Sequence, residues 1–197
     1  MSGLTDAGKS ALTAVVTAGA EECAAKLAEF THHPWSVESV TLSLDEAGPF
    51  AELMSGVAAD TYGSSITFPG GSFLLLYSGK SGYLISSAFT RDFQDRVEGM
   101  AKREVLALGE ASNILINPLV GRLAKAWGMS LIISAPKTGI ASRRDHLTRA
   151  LESCKAGGNL AATFAVKLLS TQLFSECHLL LFLDAAMVEK IAKAPPA

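Results

Sequence analysis

Leu106-Ala107-Leu108-Gly109-Glu110-Ala111-Ser112-Asn113-Ile114-Leu115-Ile116-Asn117-Pro118 is the stretch on which the fold turns. At about 100° per residue, with Leu115 as origin, Val105, Leu108, Ser112, Leu119 and Leu123 fall within about 80° of one line. That is the stripe of a helix buried along one side. Glu110, Asn113 and Asn117 gather about 160–220° away, on the opposite side. Asparagine is a poor helix-interior residue because its side chain competes for backbone hydrogen bonds, so two on one face beside a glutamate ask for a reason. Glu110 and Asn113, three apart, are neighbours there. Pro118 deletes one helical hydrogen bond and can kink the helix just beyond Asn113. The plain reading is a solvated face with a tolerated kink; a functional reading needs a partner to receive the polar pair.

Working outward, the helix runs from about Asp92 or Arg96 to Trp127, with Gly128 just past its end as a left-handed cap. Beyond it the pattern predicts a strand at Met129 to Ala135, a helix at Arg143 to Glu152, strands at Ala161 to Leu169 and Cys177 to Leu183, and a closing helix at Ala185 to Ala194. Upstream, Asp6 to Phe30 is alanine-rich with apolar residues near helical spacing, and His32-His33-Pro34 stops it, since a residue before proline avoids the α region. Val37 to Leu44 alternates as a half-buried strand, and Pro49 to Ala58 predicts a short helix. Tyr62 to Phe68 and Ser72 to Tyr77 flank Pro69-Gly70-Gly71 as a hairpin, and Ser81 to Phe89 predicts another short helix.

The order repeats: long helix, strand, short helix, paired strands, short helix. Cys23-Ala24-Ala25-Lys26-Leu27-Ala28 resembles Leu119-Val120-Gly121-Arg122-Leu123-Ala124 at a displacement of 96 residues, and Phe73 to Tyr77 resembles His178 to Phe182. With no Pro/Gly/Ser linker between them, the halves (1–95 and 96–197) are expected to share one sheet and one core in a single α+β domain.

Composition narrows the function. A net charge of −2 on 197 residues gives no basic field for nucleic acid. The longest apolar runs, such as Leu179 to Leu183, fall far short of the roughly 20 residues of a membrane span. The start, Met1-Ser2-Gly3-Leu4-Thr5-Asp6, lacks a basic segment followed by an apolar one, so a cytoplasmic location is expected. Cys23, Cys154 and Cys177 form no CxxC pair and suit buried, reduced thiols.

Gly3 to Ser10 fits the phosphate-loop formula GxxxxGK[ST], but only Met1 and Ser2 precede it. That loop needs a strand before it to aim its amides at phosphate, so a helix start capped by Asp6 or a neighbour is the better reading. His32, His33, His146 and His178 lack metal-ligand spacing, and no metal site is expected. Arg143, Arg144 and Arg149 fall among Asp145 and Glu152 as a solvated face.

The segment around Glu110 resembles the CheC/CheX family of chemotaxis phosphatases, whose signature is a helix bearing Asp/Ser-x-x-x-Glu-x-x-Asn followed after 22 residues by proline. Glu110 and Asn113 match, and Ile114 to Ala135 spans 22 residues before Pro136. The likeness extends along nearly the whole chain, through Gly71 to Leu76 and the ending Leu180 to Ala186. It implies two pseudo-symmetric halves, with two long helices packed on a shared, mainly antiparallel sheet. Two departures stand out. Leu106 occupies the position four before Glu110, and the first half has lost its copy: Ala14, Thr17 and Val40 stand where displacement by 96 would bring Glu110, Asn113 and Pro136.

The resemblance implies hydrolysis of the aspartyl phosphate of a CheY-like response regulator at one site. Glu110 would pair with the partner's lysine, and Asn113 would reach into the partner's site to align water, its neutral amide both donating and accepting. Pro136 would shape the loop after a strand, and Asn117 would support the polar face. The Mg²⁺ would come from the partner, and a CheD-like protein is a further possible partner. The alternative is a module that keeps the fold without turnover, like the flagellar switch proteins. Oligomeric state stays open.

Overall fold

The computed structural model describes residues 5–44, 60–90, 100–155 and 159–193. The expected helix at Pro49 to Ala58 and the start of the Glu110 helix lie outside them. The first helix, α1 (Asp6–Thr31), begins at Thr5, whose hydroxyl accepts from the Gly8 amide, and ends at His32 in the left-handed conformation. The cap is thus Thr5 rather than Asp6, which pairs instead with Lys9. Then follow β1 (Ser36–Ser43), β2 (Asp60–Phe68), β3 (Gly71–Tyr77), α2 (Gly79–Phe89) and α3 (Met100–Ala126). The chain continues through β4 (Lys137–Ser142), α4 (Arg143–Lys155), β5 (Leu160–Ser170), β6 (Ser175–Asp184) and α5 (Ala185–Lys193).

Six strands form one sheet in the order β1-β5-β6-β3-β2-β4, every neighbour antiparallel. The halves interlock across it. Strand β1 of the first half pairs with β5 of the second, and β4 of the second pairs with β2 of the first, around a central β3–β6 pair. Each half contributes the other's edge strand, so the sheet is common to both.

One face of the sheet carries α1 and α3. Phe73, Leu75 and Tyr77 of β3 and Cys177, Leu179, Leu181 and Leu183 of β6 enter the main core beneath those helices. The alternate residues Leu74, Leu76, Leu180 and Phe182 meet Leu147, Ala150 and Cys154 of α4 on the other face. Side chains alternate between the two faces along each strand, and the β3–β6 register sets Phe73 opposite Leu181, Leu75 opposite Leu179 and Tyr77 opposite Cys177 on one face. The match of Phe73 with His178, 105 residues on, is therefore out of phase: Phe73 faces the long helices, whereas His178 shares the other face with Leu180 and Phe182.

In the helices the displacement of 96 does hold. A β-carbon on Gly19 would sit 3.1 Å from Leu119 Cα, and the Cys23 thiol donates to the Leu115 carbonyl at 2.9 Å. Gly19 corresponds to Leu115 and Cys23 to Leu119, so the two contacts exchange under the pseudo-two-fold. The glycine permits the close approach at which α1 and α3 cross.

Met129 to Ala135 is not a strand. Leu131 and Ile133 pack against the core while Ile132 is exposed, which explains the alternation. The β2–β4 ladder ends at Ser65 opposite Lys137. The next residue is Pro136, which has no amide hydrogen to continue it. Ser134 keeps a backbone tie to β2, its amide donating to the Thr67 carbonyl at 2.8 Å. Pro136 accordingly precedes a strand rather than shaping a loop after one.

Candidate functional site

Helix α3 is fixed in rotation by contacts along its buried side. Ser112 Oγ and the Tyr77 hydroxyl, both buried, share a hydrogen bond of 2.8 Å. Gly109 lies against Thr138 of β4, and Thr138 is hydrogen-bonded to Ser64 at 2.7 Å. Near the amino-terminal end of α3, the Tyr62 hydroxyl donates to Glu104; burial, with that carboxylate second, pushes the phenol up to about 12. The Cys23–Leu115 and Gly19–Leu119 contacts complete the set. Leu108, Ser112, Leu115, Leu119 and Leu123 are all fully or almost fully buried, as the helical spacing requires.

With that side committed to the core, the opposite side faces solvent. Glu110 and Asn117 are exposed and Asn113 is half-exposed. No hydrogen bond or ion pair among the described residues engages the Glu110 or Asn113 side chain. Helix α3 continues through Pro118 to Ala126. Pro136 is half-buried, at the end of the connection that Ser134 pins to β2; Thr67 N also donates to Ser134 Oγ at 3.0 Å. The structure thus brings Glu110, Asn113 and Asn117 onto one face and sets Pro136 at the entry to β4, the strand against which α3 lies.

Leu106 extends the same stripe by one turn and is 57% exposed. Its departure from the family pattern was legible in the sequence; the side of the sheet that Ile140 faces was not. Thr138 and Ile140 point to the same side of β4, and Ile140 pairs with Tyr62, which reaches Glu104. Ile140, 43% exposed, therefore faces the side of the sheet on which α3 packs.

The corresponding face of α1 bears no such chemistry. Ala14 is exposed and Thr17 half-exposed, matching the exposure of Glu110 and Asn113. They line an open groove of about 650 Å³ with Ser10 and Ala18, between Lys9 and Glu21.

All three cysteines are buried, and desolvation pushes the Cys23 thiol up to about 12 and raises Cys177 further. His146 is buried, its Nε2 2.9 Å from the Thr61 carbonyl, and desolvation lowers its pKa; His178 is lowered for the same reason. Among the described residues no group of three or more His, Cys, Asp or Glu is placed to hold a metal ion. A free carboxylate and a free amide, about one helical turn apart, can orient another molecule's groups.

The fold is that of chemotaxis and flagellar-switch proteins. The chain is similar to FliY of Thermotoga maritima (TM-score 0.63, 15% identity, covering 95% of each chain). It is similar to the FliM middle domain of H. pylori (TM-score 0.60, 10% identity, 96% of this chain and 98% of that one). It also resembles the chemotaxis protein CheX of Desulfovibrio desulfuricans (TM-score 0.58, 11% identity, 86% and 99%). No protein-family model and no curated protein matches the chain. Among the described residues no helix is long and apolar enough to cross a membrane.

Proposed function

We propose that this protein accelerates hydrolysis of the aspartyl phosphate of a CheY-like response regulator through Glu110 and Asn113. The observation that carries the reading is their placement. The family's glutamate and asparagine stand at the family's spacing, on the solvent side of a helix whose rotation the core fixes, with no partner among the described residues. A side chain held for stability would be tied to its neighbours; these are left for a docked molecule.

The chemistry follows from residue type. An acyl phosphate needs a water molecule held in line, and Asn113 can hold one, accepting from it through its oxygen or donating to it through its nitrogen while staying neutral beside the phosphate. Glu110 supplies a fixed negative charge to pair with the regulator's active-site lysine and set the docking angle. The regulator contributes its own Mg²⁺, and the gain comes from positioning and charge placement. Pro136 and Ser134 hold the entry to β4 beside the docking face, and Asn117 extends that face toward the carboxyl-terminal end of α3. A single working site is expected, because α1 offers Ala14 and Thr17 at the equivalent places.

A second reading has one observation in its favour. Leu106 replaces a polar residue beside the site, and FliM and FliY share the fold, so the chain would dock a partner without turnover. Phosphate release from a phosphorylated CheY-type regulator with Mg²⁺ separates the two: acceleration that Asn113→Ala abolishes supports catalysis, and binding without acceleration supports the second reading.

A further inference from the structure

We propose that Leu106 and Ile140 form an apolar docking ledge that selects response regulators carrying an aliphatic side chain beside the active-site lysine. This rests on the reading of Glu110 and Asn113 above. Leu106, Glu110, Asn113 and Asn117 are spaced four, three and four residues apart and form one stripe on α3. Leu106 is more than half exposed, and Ile140 approaches from β4 with 43% of its surface in water. Neither belongs to the core.

Docking geometry decides what covers them. Leu106 lies about 10 Å along the helix axis from Asn113 and about 6 Å from Glu110. A standard protein interface covers about 800 Å² on each partner, a disc of about 16 Å radius. Any regulator whose lysine meets Glu110 and whose phosphoryl group meets Asn113 therefore covers Leu106 as well. A hydrogen-bond donor placed there would lose water and find no acceptor, which is costly; an aliphatic side chain gains by burial. The same contact that rewards one regulator rejects another.

The test uses the whole protein and a panel of CheY-type receiver domains held in the phosphorylated-like state with beryllofluoride and Mg²⁺. Leu106→Asp should raise the Kd of the best-binding receiver at least tenfold, Ile140→Thr severalfold, and Leu106→Met by no more than about twofold. The thermal melt should not change, since both side chains are exposed. In dephosphorylation assays on the same receiver, Leu106→Asp should raise KM and leave kcat in place. A Kd unchanged or tightened by Leu106→Asp overturns the ledge. Failure of the underlying reading shows separately: a wild type that binds receivers yet leaves their dephosphorylation rate unchanged removes catalysis, and the Leu106→Asp Kd still decides the ledge. A wild type that binds no receiver overturns both.

Discussion

Tyr77 of the central strand β3 and Ser112 of α3 share a buried 2.8 Å hydrogen bond, which sets which side of the helix meets the sheet. Asn113 follows Ser112 by one residue, about 100° further round. Turning α3 toward the core on the Asn113 side would break this bond and bury the site. Tyr77→Phe leaves the Ser112 hydroxyl without its partner, and Ser112→Ala leaves the Tyr77 hydroxyl likewise. Each should cost about 1–3 kcal/mol, with the double variant costing less than the sum. Urea unfolding of the three variants measures this, and strict additivity would contradict it.

Gly19 is the crossing point of the two long helices. A methyl group there meets Leu119, including its Cα at 3.1 Å, so rotation of the leucine side chain alone does not make room. Gly19→Ala should destabilise the protein by about 1–3 kcal/mol despite the better helix propensity of alanine. Denaturant unfolding checks it, and a stabilised variant would show that the helices separate freely.

His146, buried, and His178, half-buried, hold their protons less tightly than free imidazole, mainly through desolvation. The unfolded chain therefore binds more protons below its ordinary histidine pKa of about 6.5. Their contribution is fully present above that value and is lost as pH falls toward the lowered folded values. The melting temperature should drop between pH 7 and pH 5, and His146→Gln, which can keep a bond to the Thr61 carbonyl, should flatten the drop. An equally steep profile in that variant would remove His146 from the account.

The three thiols should be inert in the folded protein. Burial raises the pKa of Cys23, Cys154 and Cys177, leaving little thiolate at pH 8. A colorimetric thiol reagent should titrate almost none in buffer and all three in guanidinium. Rapid native reaction at any of them would contradict the packing.

Much of this was legible because local physics dominates it. The stripe Leu108, Ser112, Leu115, Leu119 gave α3 its buried side, and Pro34 and Gly128 marked the ends of the long helices. The hairpin at Pro69-Gly70-Gly71 followed from turn chemistry. Two expectations failed, both where the decisive group lies elsewhere in the chain. Met129 to Ala135 carries strand alternation, yet pairing depends on β2, and the ladder stops where Pro136 has no hydrogen to give. The likeness of Phe73–Tyr77 to His178–Phe182 followed letters, whereas the faces depend on register across β3 and β6. For the candidate site, the outward face of Glu110 and Asn113 was readable from helical geometry. That Ile140 faces the side of the sheet on which α3 packs was not, since it arises from the β2–β4 register.

The most direct measurement is the decay rate of a phosphorylated CheY-type regulator with Mg²⁺, alone, with the wild-type protein, and with Asn113→Ala at equal concentration. The wild type should accelerate decay, and Asn113→Ala should keep no more than about 1% of that acceleration, the loss expected when a water-positioning group is removed. Equal decay in all three samples, or full acceleration by Asn113→Ala, would contradict the assignment.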